Sequence, residues 1–161
     1  DPFLEGGGLH QTKTGGYLKM HTDFNWNKKL GLNRRINVLF YLNSEYKPQW
    51  GGKLYLSERP SNENIQDMTS IEPIFNRLVI FNTNDTTFHG HPLPLNFPID
   101  YPRTSLAYYY YTSKKRLPKE VRRLTAVTSK FVPAKDNKIN SSKINLKSKI
   151  GYLLRRWTPF G

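Results

Sequence analysis

The chain has 161 residues, enough for one domain with a core of its own. It lacks cysteine, which excludes disulfides, a thiolate nucleophile and Cys-ligated zinc or iron–sulfur sites, and it has no apolar run long enough to predict a membrane-spanning helix. The net charge of +13 is lopsided: residues 1–112 carry 11 Lys/Arg against 10 Asp/Glu, and residues 113–161 carry 14 against 2, so the high pI is no argument for a nucleic-acid-binding main domain. Opening on Asp1 with no signal peptide, the chain reads as a soluble fragment, with a cytoplasmic location compatible and upstream elements missing.

In chain order, Tyr17–Phe24 alternates polar and apolar after Gly15-Gly16 and is predicted as a strand. Residues i and i+2 of a strand share a face. His21 and Asp23 should therefore converge on one point, with Thr22 turned away. Asn25 and Asn27 read as turn formers. Arg35–Leu42 (RINVLFYL) is β-branched and aromatic and stops at Asn43-Ser44. Arg34, Arg35 and Arg77 read as strand-end cations in surface or rim salt bridges. Trp50 packs the loop before Gly51-Gly52, and Gly52–Leu56 alternates as a further strand. Arg77–Phe81 reads as a short buried strand and Phe88–His91 as the next. Thr104–Thr112 carries four consecutive tyrosines, of which Tyr109 and Tyr111 share the face of Arg103 while Tyr108 and Tyr110 pack outward. Prolines punctuate the loops, densest at Pro92, Pro94, Pro98 and Pro102.

Many short strands between Gly/Pro turns, with almost no helical period, predict a mainly β domain of the sandwich, jelly-roll or barrel kind over residues 1–116. Residues 117–161 form a basic C-terminal extension. Near 142–157 it places Leu146, Ile150, Leu153, Leu154 and Trp157 on one helical face, with Lys143, Lys147, Lys149, Arg155 and Arg156 opposite. The expected role of this amphipathic helix is docking on the barrel; an anionic membrane surface or a nucleic acid is the alternative contact.

Of the four histidines, His21 forms an H-x-D pair with Asp23, and His89 follows on a late strand in TTFHGHP. Two imidazoles and one carboxylate are the facial set of non-haem Fe(II): they leave the metal a net positive charge and three adjacent open positions. A zinc site would more often use three histidines or cysteines. His91 shares a strand face with His89 and is the rival third ligand, otherwise a rim or turn residue. His10, in a Gly-rich lead-in, reads as structural or exposed. Arg103 opens the tyrosine strand, where a buried guanidinium can clamp a carboxylate.

The ordered set GGYLKMHTDFN, RRINVLFYLN, WGGKLYL, NRLVIFNT, TFHGHP and RTSLAYYYYT resembles the Fe(II)- and 2-oxoglutarate-dependent dioxygenases, nearest their prolyl-4-hydroxylase-like branch, over residues 6–113. The resemblance implies a double-stranded β-helix, a cupin-like jelly-roll barrel of eight strands with the metal at one mouth. It implies that His21, Asp23 and His89 ligate Fe(II), that Arg103 pairs with the distal carboxylate of 2-oxoglutarate with help from Tyr41, and that Tyr17 approaches the cosubstrate from the metal side. O2 is then the oxidant and ascorbate a supporting reductant. Arg103 stands where many collagen-type enzymes have Lys, as in the hypoxia-sensing and bacterial branches. The inserted loop HPLPLNFPIDYP lengthens the stretch from His89 to Arg103 and puts that assignment under test. The function implied is hydroxylation of an unactivated C–H with release of succinate and CO2. A prolyl residue is the favoured substrate, with a free amino acid, a glycan or a small metabolite open. The rivals are a non-catalytic jelly-roll binding module, opposed by the complete ligand set, and a nucleic-acid demethylase. The basic tail favours the demethylase; the lack of any further arginine in Thr104–Thr112 opposes it.

Overall fold

The computed structural model describes residues 6–58, 65–113 and 129–132; the helix expected near 142–157 lies outside them. Ten strands form two five-stranded antiparallel sheets. The first contains β1 (Gly8–Thr12), β3 (Trp26–Asn27), β4 (Leu32–Tyr41), β7 (Leu78–Asn82) and β9 (Arg103–Thr112). Its order is β1-β9-β4-β3, and β7 also pairs with β4. The second runs β10 (Lys130–Phe131), β2 (Leu18–Thr22), β8 (Phe88–His91), β5 (Leu54–Ser57), β6 (Thr69–Ile71). Strands that neighbour in sequence mostly do not neighbour in space, as a jelly roll requires. The eight strands implied by the resemblance are exceeded because β3 and β10 are two-residue additions.

The core lies between the sheets. Tyr41, Val79 and Phe81 from the first sheet pack with Leu54 from the second, and Leu39, Leu56 and Ile71 close around them. Burying each aliphatic or aromatic side chain contributes about 1.5–3 kcal/mol. The prolines of the inserted loop do not push it into solvent. Leu95 and Phe97 are buried, Trp50 packs on Phe97 and Tyr101 at centroid distances of 5.3 and 5.7 Å, and the Asn96 amide donates to the Trp50 carbonyl. Trp50 thus has the loop-packing role expected of it.

Two local irregularities position the site. In β4 the register with β9 shifts between Arg34 and Ile36. Asn37, Leu39 and Tyr41 face inward by alternation; without the bulge Arg34, of opposite parity, would face solvent. In β8, Gly90 separates the two histidines. A Cβ there would sit 2.7 and 2.8 Å from the Leu18 and Lys19 carbonyl oxygens, so only glycine lets β2 approach β8 closely enough to bring His21 across from His89.

Candidate metal centre

His21 is the penultimate residue of β2, Asp23 follows the strand, and His89 lies on the neighbouring strand β8, paired with His21. Each of the three offers a ligand atom, and those atoms lie within 4.8 Å of one another. His21 Nε2 stands 3.6 Å from Asp23 Oδ1, and His89 Nε2 stands 3.2 Å from Asp23 Oδ2. All three residues are buried or nearly so. His21 Nδ1 is 2.9 Å from the Lys19 carbonyl, which fixes the proton on Nδ1 and turns the Nε2 lone pair toward Asp23. The phenyl ring of Phe131 on β10 stacks on the His21 imidazole at 4.9 Å, and Phe81 contacts His89 at 4.8 Å. The arrangement answers the expectation for His21 and Asp23: they converge although Asp23 lies just past the strand.

Asp23 is held by hydrogen-bond donors besides the histidines as well. Arg34 Nη2 donates to Oδ2 at 2.8 Å and Asn37 Nδ2 donates to the same oxygen at 2.6 Å. Arg34 also donates to Asn37 Oδ1 from Nε and Nη2, at 2.9 and 2.7 Å. The Thr83 hydroxyl donates to Asn37 Oδ1 at 3.2 Å, and Ser129 Oγ donates to Asp23 Oδ1 at 3.4 Å. The guanidinium lies 3.4 Å from the Tyr109 ring centroid and 4.8 Å from that of Phe24. Burial alone would raise the Asp23 carboxyl; the two histidines and Arg34 outweigh it and hold the group well below the usual carboxylate range. Burial lowers His89, with Asp23 opposing in part, so its imidazole is neutral and able to ligate. Two imidazole nitrogens and one ionised carboxylate oxygen, buried and convergent, fit a divalent iron centre.

Arg103 opens β9 directly after the inserted loop. Arg103 is buried; its Nε donates to the Gly52 carbonyl at 2.8 Å and its Nη2 to the Tyr41 hydroxyl at 3.1 Å. Nη1 makes no hydrogen bond among the described residues. Gly52, at φ +76, admits this packing: a Cβ would lie 2.9 Å from Leu95, 3.0 Å from Arg103 and 3.2 Å from Phe97. Burial raises the Tyr41 phenol, with Arg103 opposing, so it keeps its proton and can donate.

Other expectations are corrected. Arg34, read as a surface cation, is 2 % exposed and bonded to the presumptive metal carboxylate. Tyr17, expected to approach the cosubstrate, precedes β2 and stands 47 % exposed; the alternation that turns Met20 into the core does not extend to it. Asn27 does build a turn, accepting from the Leu30 amide, but Asn25 is wholly buried and donates to Asp85 at 2.7 Å. His91 is buried on the inner face of β8, and His10 is exposed on β1. Sequence reading missed Arg34, Asn37 and Gly90. The one signal available was the run Arg34-Arg35 in a strand otherwise destined for the core.

A family model described as the 2OG-Fe(II) oxygenase superfamily matches residues 7–111, well over half of the chain. The chain belongs to that superfamily. The chain is also similar to a solved structure, a prolyl 4-hydroxylase from Phytophthora capsici, at 21% identity and a TM-score of 0.46. The match covers 74% of this chain and 42% of that one, so the chain spans less than half of the similar protein. Membership implies Fe(II), 2-oxoglutarate and O2, and the His21–Asp23–His89 cluster is where the metal fits. Among the described residues no helix is long and apolar enough to cross a membrane.

Proposed function

We propose that the chain is the catalytic unit of a 2-oxoglutarate-dependent hydroxylase acting on an unactivated C–H bond, with a prolyl residue as the first substrate to test. One observation carries the reading: His21, Asp23 and His89 place their ligand atoms within 4.8 Å of one another, in an interior where Arg103 and Tyr41 are already paired. The bound iron would supply the activation of O2 that couples oxidative decarboxylation of 2-oxoglutarate to attack on the substrate. The protein's part is positional. His21, Asp23 and His89 would hold the metal from one side and leave adjacent positions open. Arg103, with Nη1 unbonded and Nε and Nη2 fixed by Gly52 and Tyr41, would orient the distal carboxylate as a charge-assisted pair. The Tyr41 hydroxyl would donate to the same group. Phe131 and Phe81 lie against the two imidazoles and would brace them around a bound metal. Ascorbate support belongs to the same reading.

The test is succinate release from 2-oxoglutarate by the Fe(II)-loaded chain, measured with and without a panel of prolyl peptides, amino acids and small glycans. Succinate formation stimulated by one class assigns it. No succinate with any of them, from protein shown to bind both Fe(II) and 2-oxoglutarate, would replace the hydroxylase by a binding module.

A further inference from the structure

β8 carries two inward histidines, and only His89 has Asp23 as a partner. His91 lies two residues on, about 6.5–7 Å further along the strand on the same face. Tyr55 pairs with Gly90, so His91 lies across from Leu54, two residues after the Gly52 carbonyl that accepts from Arg103. On its other side β8 pairs Leu18 with His91. His91 is thereby confined to the interior between the metal ligands and the Arg103 pocket. It is 5 % exposed, yet Nδ1 is buried without a hydrogen-bond partner among the described residues. A buried polar atom left in this state costs about 1–3 kcal/mol. An apolar side chain of similar size, like Leu54 opposite, would avoid that cost. Tyr41 and Arg103, by contrast, are hydrogen-bonded to each other.

We propose that His91 is a cosubstrate-binding residue whose ring N–H donates to the distal carboxylate of the bound 2-oxo acid, as a third donor beside Arg103 and Tyr41. The proposal rests on the reading of the site as a 2-oxoglutarate centre and adds a determinant of which oxo acid it accepts. One histidine of the HGH motif serves the metal; the other serves the far end of the cosubstrate. The spacing suits this division, since a carbon chain chelating the metal at one end must place its second carboxylate a few ångströms away, toward Arg103. An imidazole N–H adds a directed donor beside the guanidinium.

The experiment is anaerobic calorimetric titration of the Mn(II)-loaded full chain with 2-oxoglutarate and, by competition, with pyruvate, which has the keto acid but no distal carboxylate. Wild type, His91→Ala and His91→Gln are compared, with Mn(II) affinity and the thermal midpoint of each variant recorded. The expected result is a 10- to 100-fold loss of 2-oxoglutarate affinity in His91→Ala, partial recovery in His91→Gln, and unchanged affinity for pyruvate and for Mn(II). Undiminished 2-oxoglutarate binding in both variants would overturn the proposal. So would an equal loss for pyruvate, which would mark a packing role, or a loss of Mn(II), which would mark a metal ligand. If His91→Ala does not fold, the ratio of 2-oxoglutarate to pyruvate affinity in His91→Gln decides the question. A wild type that binds Mn(II) but no 2-oxo acid would sink the underlying site reading itself, an outcome distinct from all of these.

Discussion

The two faces of β4 reverse the usual pattern of a half-buried strand. Inward it presents Arg34, Asn37 and Tyr41, polar residues that are 2 %, 2 % and 0 % exposed. Outward it presents Val38 and Phe40, whose register partners are Ile80 and Tyr108, and Leu78 and Leu106. Ile80 and Leu78 are more than half exposed, as are Tyr110 on β9 and Leu9 on β1, which pairs with Leu106. The difference separates two uses of burial. The outer row is apolar and wet, which costs little residue by residue and makes one continuous exposed patch. The inner row is polar and dry, and is tolerable only because each group is hydrogen-bonded to another. Stability alone would reverse the assignment; the inner face is organised around Asp23 and Arg103, and therefore around charge that must be held in place.

Substitutions can break that contrast, most severely at its centre. Asp23→Ala removes the ligand oxygen and the counter-charge of Arg34 together; 2-oxoglutarate turnover and Mn(II) binding should be lost, at least 1000-fold by rate or affinity. Retained tight Mn(II) binding would take Asp23 out of the centre. Arg103→Ala should raise the 2-oxoglutarate concentration needed for half-maximal turnover by about 100-fold while Mn(II) affinity holds; an unchanged requirement would move the clamp elsewhere.

Arg34→Met tests whether the inner face is held by mutual pairing. Breaking one partner of a buried ion pair destabilises by about 3–5 kcal/mol, so the metal-free Tm should fall by several degrees. Because a metal ion is then the main cation left to pair with Asp23, the rise in Tm on adding Mn(II) should exceed that of the wild type. Equal metal-induced shifts would show that Arg34 and the metal do not share the carboxylate.

The pH dependence separates the faces again. His89 and His91 are both lowered by burial from the ordinary value near 6.5, so below about pH 6.5 the unfolded chain binds more protons and metal-free stability should decline. Asp23 is depressed too, so its own contribution is present at neutral pH and is lost only as the solution acidifies past the ordinary carboxylate range. His91→Leu should flatten the decline between pH 7 and 5; an unaltered slope would contradict a buried neutral His91. The smallest effect belongs to the outer face, where Ile80→Thr should change stability by less than about 0.5 kcal/mol. A markedly larger loss would show that this surface packs against something in solution.

How much of this could be read in the sequence follows the same division. His21 and Asp23 were legible as an i, i+2 pair, His89, Arg103 and Tyr41 from the motifs that resemble a known family, and six strands from alternation and from β-branched and aromatic runs. Arg34 was not. Its inward orientation depends on the bulge at Arg34–Ile36, and an extra residue in a strand leaves no mark in a hydrophobic pattern. Gly90 looked like spacing between two histidines; its need appears only when the Leu18 and Lys19 carbonyls are seen against it. The role of Tyr17 came from the resemblance alone, and the residue lies just before β2, 47 % exposed. β10 was missed because two residues within a basic stretch carry no periodicity.

That short strand changes the order in which the centre can assemble. Ser129 and Asp23, in contact at 3.4 Å, are 106 positions apart. Phe131 pairs with His21, and the Val132 amide bonds the Met20 carbonyl at 2.8 Å. A contact of such sequence separation closes a long loop for the return of a two-residue ladder, which places it late in folding and early in fraying. The three ligands are all synthesised by residue 89, before the segment that stacks on one of them exists. A polypeptide ending at Thr112 would retain every ligand of the metal yet leave the His21 ring uncovered on its Phe131 side; the shortest piece expected to hold the centre as described runs on to Val132.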